Sequence, residues 1–544
     1  MLRIVAVRGR PADRSSLDTM PMPSDPDPTL VDALRRLLER RTGQPVERVE
    51  THISWVLLTA TEAYKLKKPL RLPFLDFGSV EARRRCCEEE LRINRRFAPM
   101  LYLDVVPVRG TPAAPTLDGG GTPIDHLVRM RRFPEAALLR ELVTTRHVRP
   151  EWLDTLAARL AALHAQAPRA APDSPFGGPE RTLRAATDVL DRLEQLEQLE
   201  QLEHQRRPGP VTGDGRLATL RAWVRAQATA LRPVWLARRV EGAIRACHGD
   251  LHLANIVWLD GMLTPFDAIE FDPALRWIDI VADLAFLTMD LKAHGRADLA
   301  ARVLDAWLQS SGDYAGLGVL GFHEVQRALV RAMATALPGA DARPGPDYLD
   351  CATRLAHPAA RRARLLITHG FSGSGKSSLA LQLVGVTGAV RIRSDVERKR
   401  LFGLDALARS AGSGLDLYGA DATRRTFERL ARHAHAALRA GLPVIVDAAF
   451  LRRAERRDFA ALAARLGVPF AILDCRASRA TLEHRVDARD RTRGDASEAD
   501  VAVLARQIAH AEPLGADELD ATIDIATDAA VDVAALAARW SARP

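Results

Sequence analysis

The spacing of apolar residues changes character along the chain. A helical period begins at about Leu30. ISWVLLTATEAYKLKKPLRL (53–72) alternates instead and predicts two strands joined by a turn, followed by a helix from about Val80 to Phe97. Short β-like runs over 106–132 flank GTPAAPTLDGGGTP and predict a hairpin with a glycine-rich loop. The pattern is then mostly helical from about Glu135 to Arg245, turns to short strands, loops and a helix over 246–290, and is helical again to about Leu355. PGADARPGPDY and HPAARRAR mark a boundary near 340–360. From Leu365 to about residue 530 strand and helix alternate, the signature of a parallel α/β sheet. Residues 13–28, rich in Pro, Asp and Ser, are expected to be disordered. LEQLEQLEQLEHQ (193–205) repeats every three residues, so its leucines drift around a helix. It reads as a mobile helical extension, with a dimerising role as the rival reading. The expected organisation is a tail (1–28), a first domain (29–355) and a second (356–544).

Composition narrows the class. A chain of 544 residues with 47% hydrophobic and 27% charged positions suits two or three globular domains. No apolar run approaches the ~20 residues of a membrane span, and the four-residue IVAV near the start is too short for a signal peptide. Cys86, Cys87, Cys247, Cys351 and Cys475 are odd in number and lack CxxC spacing, which disfavours a disulfide framework or cysteine zinc site. A cytoplasmic protein without a membrane partner is expected; the oligomeric state stays open. The net charge of +8 admits nucleic acid as a partner, but the arginines are spread through helices, so nucleic acid is not favoured. Only six of the 77 basic residues are lysines: Lys65, Lys67, Lys68, Lys292, Lys376 and Lys399. Where arginine is the default cation, a lysine more often marks a point charge at a phosphate.

RLLITHGFSGSGKSSLALQLV sets an apolar strand before a phosphate-binding loop and an amphipathic helix after it. Gly370, Ser372, Gly373, Ser374, Gly375, Lys376, Ser377 and Ser378 form the expected nucleotide cradle. Lys376 reaches for the β- and γ-phosphates, the Ser377 hydroxyl for Mg²⁺, and the helix N-terminus adds its positive end. Asp447 ends a strongly apolar strand, where an acid can hold the metal's shell, although an N-cap is the alternative. Asp395 follows another short strand, with an N-cap as the alternative. Arg485, Arg489, Arg491 and Arg493 precede a short acidic turn; from a flap they would neutralise a transferring phosphoryl group, and otherwise they are a solvated helix end.

With these motifs in view, residues 365–535 resemble the P-loop (AAA-type) kinase-like ATPases related to polynucleotide kinases, gluconate kinases and zeta toxins. The resemblance implies that Asp395 contacts the phosphoryl acceptor and that Arg485 and Arg489 belong to a lid.

CHGDLHLANIVWLDGMLTPFDAIEFDP holds a second set. Phosphoryl transfer to a hydroxyl needs a carboxylate to orient the acceptor and oxygen ligands for Mg²⁺. Asp250 suits the first role; Asn255 and Asp267 suit the second. HGDLHLAN resembles the catalytic loop of the aminoglycoside phosphotransferases and related kinase-like enzymes. That resemblance implies a two-lobed, protein-kinase-like fold. It also implies that Lys65, in Ala63-Tyr64-Lys65, holds the α/β-phosphates with Glu90 as its partner, and that Asp283 has a structural role. Lys67, on the same strand face, rivals Lys65. The nucleotide-covering turn, LLTATEAYK, departs from the family in having no glycine. The whole chain thus resembles a fusion of an aminoglycoside phosphotransferase-like domain with a P-loop ATP-binding domain. It implies two ATP- and Mg²⁺-dependent kinase sites acting on small-molecule hydroxyl acceptors. The alternatives are a single live P-loop kinase with a regulatory or substrate-binding partner domain, and a nucleic-acid end-processing kinase.

Overall fold

The computed structural model describes residues 28–72, 75–205, 215–336, 345–357, 363–409, 415–492 and 495–543. The stretch expected to be disordered lies outside the described residues up to residue 27, as does Arg493. The described chain divides into two compact units. One comprises the residues up to Trp152 with Gln166–His294 and Phe322–Ala356; the other comprises Leu153–Ala165, Gly295–Gly321 and the residues from His357 onward.

In the first unit, α1 (Pro28–Thr42) precedes β1 (Glu47–Glu50), β2 (Ser54–Leu58) and β3 (Glu62–Lys67). Then come α2 (Val80–Asn94), β4 (Tyr102–Thr111), β5 (Ala114–Thr116) and β6 (Asp125–Arg131). The six strands form an antiparallel sheet in the order β1-β2-β3-β6-β4-β5. Alternation along the strands sorts the side chains. Trp55, Leu57, Tyr64 and Leu66 cluster with Val31, Leu34 and Leu38 of α1. Val56 and Ala63 join Cys87 of α2 in a separate cluster. Lys65 and Lys67 share the parity of Ala63, so both ammonium groups lie on the α2 side. After long helices, including Pro179–Gln205 that contains the LEQ repeat, the catalytic-loop sequence (248–255) leads directly into the hairpin β7 (Ile256–Leu259) and β8 (Met262–Pro265). The buried helix α3 (Ile280–Ala293) follows.

The second unit includes α4 (Ala297–Ser311). Its sheet is built from β9 (Leu365–His369), β10 (Val390–Arg393), β11 (Val444–Asp447), β12 (Phe470–Arg476) and β13 (Thr522–Ala526). All pair in parallel, in the order β10-β11-β9-β12-β13. This is the expected parallel α/β sheet, with Leu366, Ile445, Ala471, Leu473 and Ile523 packed on Leu379, Leu383 and Trp540. The connecting helices include α5 (Lys376–Thr387), α6 (Ser394–Leu401), α7 (Arg479–Thr492) and α8 (Val501–His510). Among the described residues no helix is long and apolar enough to cross a membrane.

Candidate active sites

The P-loop of the second unit joins β9 to α5. Gly370, Gly373 and Gly375 all have positive φ, at 133°, 84° and 82°. Space as well as angle demands glycine at Gly373, where a Cβ would meet the Leu482 carbonyl oxygen at 2.6 Å. Ser372 donates its backbone N–H to Gln507 Oε1 at 2.8 Å, tying the loop to α8. Lys376 Nζ donates to the Phe371 carbonyl at 2.6 Å, and burial depresses its pKa. The Ser377 hydroxyl donates to Asp447 Oδ1 at 3.0 Å. Asp447 Oδ2 is buried without a hydrogen bond; its nearest cation is Arg393, with Nε at 3.4 Å. Asp447 ends β11, and the next helix begins only at Arg453, so it is no helix cap. Asp395 lies inside the first turn of α6, whose N-cap is Arg393 without a side-chain bond, so it is no cap either.

Gly373, Gly375, Lys376, Ser377, Asp395 and Asp447 line one cleft of about 540 Å³, together with Ser378, Arg398, Arg485 and Arg489. Arg485 reaches beneath the loop, donating to Gly373 O at 3.3 Å and Thr527 O at 2.6 Å. Arg489 donates to Ala499 O at 2.7 Å. Reading the sequence missed Arg393, which bridges Asp447 and Asp495 (2.9 Å). Its place beside a run of basic residues in VRIRSDVERKR gave no distinguishing signal.

In the first unit, Glu90 of α2 accepts from both rival lysines, Lys65 at 2.8 Å and Lys67 at 2.6 Å. Each lysine also holds an acid of the segment after β8: Lys65 meets Asp267 at 2.7 Å, and Lys67 meets Glu270 at 2.5 Å. Burial by itself would discharge the lysines, but the surrounding carboxylates outweigh it and keep both charged. Burial likewise favours the neutral form of Glu90, yet the two lysines pull its pKa down to about 2. Asp267 takes a left-handed backbone, φ 61°, and its N–H donates to the Tyr102 hydroxyl. Asn255 Nδ2 donates to Asp250 Oδ2 at 3.1 Å, fixing the two against each other. The loop carrying them is held by Asp283, whose carboxylate accepts from the backbone N–H groups of His248 (3.0 Å) and Gly249 (2.8 Å). A cavity of about 180 Å³, lined by Val49, Val56, Ala63, Met130, Leu138 and Phe266 and also by Glu47, Arg131, Arg132 and Glu135, lies between β3 and the residue preceding Asp267. Neither Glu270 nor this cavity was identified from sequence, because both depend on bringing the first strands to a loop some two hundred residues later.

The donor sets fit the groups that such sites use. Ser377 and Asp447 in one unit, and Asn255 and Asp267 in the other, offer the hard oxygens that Mg²⁺ prefers. The orphaned Asp447 Oδ2 is a buried acceptor that a cation's water shell would satisfy.

A phosphotransferase-family domain and a P-loop domain are therefore joined in one chain. The phosphotransferase enzyme family matches residues 82–320, and the AAA domain family matches 365–514, here in its P-loop kinase-like form. The uncharacterized proteins Rv2004c of Mycobacterium tuberculosis and Mb2027c of Mycobacterium bovis are each 30% identical to it over 480 residues, 86% of this chain and 91% of theirs. The chain belongs to the family of these mycobacterial proteins. Among solved structures, it is similar to a sugar kinase from Janibacter sp. (22% identity, TM-score 0.26, covering 33% of this chain and 94% of that one). It is also similar to a choline/ethanolamine kinase family protein from Mesorhizobium loti (15% identity, TM-score 0.35, covering 60% and 94%). The chain is a kinase-type, ATP-binding phosphotransferase in its domain content.

Proposed function

We propose that the chain is a tandem kinase, each unit transferring the γ-phosphoryl group of ATP to a hydroxyl of a small molecule. The observation that carries this reading is the Ser377–Asp447 hydrogen bond at the head of the P-loop, in the same cleft as Asp395. A pure nucleotide switch needs the first pair; a carboxylate across the cleft is what an acceptor hydroxyl needs in addition. Lys376, with the backbone N–H groups of Gly373 to Ser378, binds the phosphates. Asp395 orients the acceptor, and Arg489 and Arg485 counter charge on the phosphoryl group in flight. In the first unit the cavity beside Phe266 takes the base and Lys65, braced by Glu90, takes the α/β-phosphates. Asp250 receives the acceptor proton. Mg²⁺, when bound, neutralises phosphate charge in both sites, held by Ser377 and Asp447 in one and by Asn255 and Asp267 in the other.

The experiment is transfer of labelled γ-phosphate from ATP across an unbiased metabolite panel, comparing the wild type with Asp250→Ala and Lys376→Ala. Each substitution should erase a different set of labelled products. If Asp250→Ala leaves every product in place, only the P-loop unit turns over. One observation favours that second reading: Asp267, the metal-holding acid of the first unit, is already engaged by Lys65 at 2.7 Å.

A further inference from the structure

The helix α4 lies within the stretch matched by the phosphotransferase family, yet it packs in the P-loop unit. Its Asp305 meets Arg391 of β10 in a two-pronged ion pair, Oδ1 to Nε at 3.2 Å and Oδ2 to Nη2 at 2.8 Å. Both side chains are buried, at 3% and 6% exposure, so the charges are shielded from water. The third face of the same guanidinium is turned to the active site: Nη1 donates to the backbone carbonyl of Ser377 at 3.2 Å. The carbonyl of Arg391 is held in turn from the same segment, by Gln309 Nε2 at 2.9 Å and the Tyr314 hydroxyl at 3.4 Å. β10 is an edge strand of the sheet, and α4 with the following turn supplies the cover such an edge needs.

We infer that Asp305 and Arg391 are positioning residues for Ser377, so that the metal-binding end of the P-loop is set by a helix encoded upstream of the P-loop domain. Because the guanidinium is planar and its donors are fixed, anchoring two of them on Asp305 fixes where the third points. That third donor bonds the residue whose hydroxyl is bonded to Asp447. The inference rests on Ser377 being a metal-holding residue of a kinase site.

The test uses the full chain with Asp250→Asn and Lys65→Met added, so that ATP turnover and analogue binding report the P-loop unit. The Mg²⁺ concentration at half-maximal turnover is measured for Arg391→Met, Arg391→Lys, Asp305→Asn and the charge swap Asp305→Arg/Arg391→Asp, alongside melting temperature. Affinity for a fluorescent ATP analogue without metal is measured in parallel. Losing a hydrogen bond from a charged donor should raise the Mg²⁺ requirement about fivefold or more in Arg391→Met, with metal-free nucleotide affinity little changed. The swap should recover the melting temperature, since the ion pair is restored, but not the Mg²⁺ requirement, since no donor faces the Ser377 carbonyl. An unchanged Mg²⁺ requirement in Arg391→Met overturns the inference, as does a swap that restores both properties. Should Arg391→Met not fold, Arg391→Lys carries the same expectation, because it keeps the charge but cannot reach both partners. A parent protein that turns over no ATP would sink the kinase reading instead; the positioning would then be read from the Mg²⁺ dependence of analogue binding in the same variants.

Discussion

Lys67 lies 2.6 Å from Glu90, bonded to one oxygen of the carboxylate whose other oxygen Lys65 takes at 2.8 Å. One glutamate thus braces two lysines, and each lysine braces an acid of the loop after β8. Two cations face three carboxylates in this buried group, and burial raises the pKa of one of the acids, Glu270.

The two lysines should separate by experiment. Lys65 pairs with Asp267, the acid proposed to hold metal, whereas Lys67 pairs with Glu270 and is wholly buried. In a Lys376→Ala background, Lys65→Met should weaken ATP affinity or turnover in the first unit by about 10²-fold, the usual cost of one lost charge-stabilising donor. Lys67→Met should instead cost about 3–5 kcal/mol of stability by stranding buried carboxylate, measured by urea unfolding, with a much smaller effect on the folded fraction's ATP affinity. The reverse ranking would make Lys67 the phosphate lysine.

Gly373→Ala should abolish nucleotide binding in the P-loop unit. The new Cβ would sit 2.6 Å from the Leu482 carbonyl with φ at 84°, so loop and α7 must part. Fluorescent ATP-analogue titration of the Lys65→Met protein, whose first-unit site binds weakly, reads this directly. Gly120→Ala, where a Cβ meets nothing, is the control that should bind as the parent does.

Asp447→Asn keeps the acceptor for the Ser377 hydroxyl but removes the charge. An outer partner of a metal ligand typically contributes 10- to 100-fold in metal affinity or activity. The Mg²⁺ requirement of P-loop turnover should therefore rise by about that factor, with little change in melting temperature. A Mg²⁺ curve that does not move would show that Asp447 merely orders the loop.

Much of this was legible in the sequence, for local reasons. The P-loop is a contiguous run whose glycines each serve the backbone, and HGDLHLAN keeps its chemistry within eight residues. Alternation along β3 put Lys65 and Lys67 on one face, but it could not choose between them, because their acids come from a loop over two hundred positions away. The pairing of Asp305 with Arg391, 86 positions apart, was illegible for the same reason. An amphipathic period says that α4 has an apolar face, not which sheet receives it. Asp395 and Asp447 each left a capping alternative open, since an acid after a strand looks the same in either role until the helix start is located.

Acid should loosen the first unit before carboxylate titration does. His252 and His323 are fully buried, and burial lowers both pKa values to about 4, with the Arg331 charge adding to the effect at His252 and the Arg327 charge at His323. Both rings are therefore neutral in the folded protein near pH 6, while an unfolded histidine binds a proton below about pH 6.5. The unfolded state then holds more protons, so stability is complete above pH 6.5 and falls as pH drops from about 6.5 towards 4. Each ring would contribute about 1.4 kcal/mol per pH unit at most within that window. His323→Gln, which can keep the bond to Gln326 without titrating, should flatten the slope by about one proton's worth when urea midpoints are followed from pH 7 to pH 4.5. A slope unchanged by the substitution would mean that His323 does not resist protonation in the folded state.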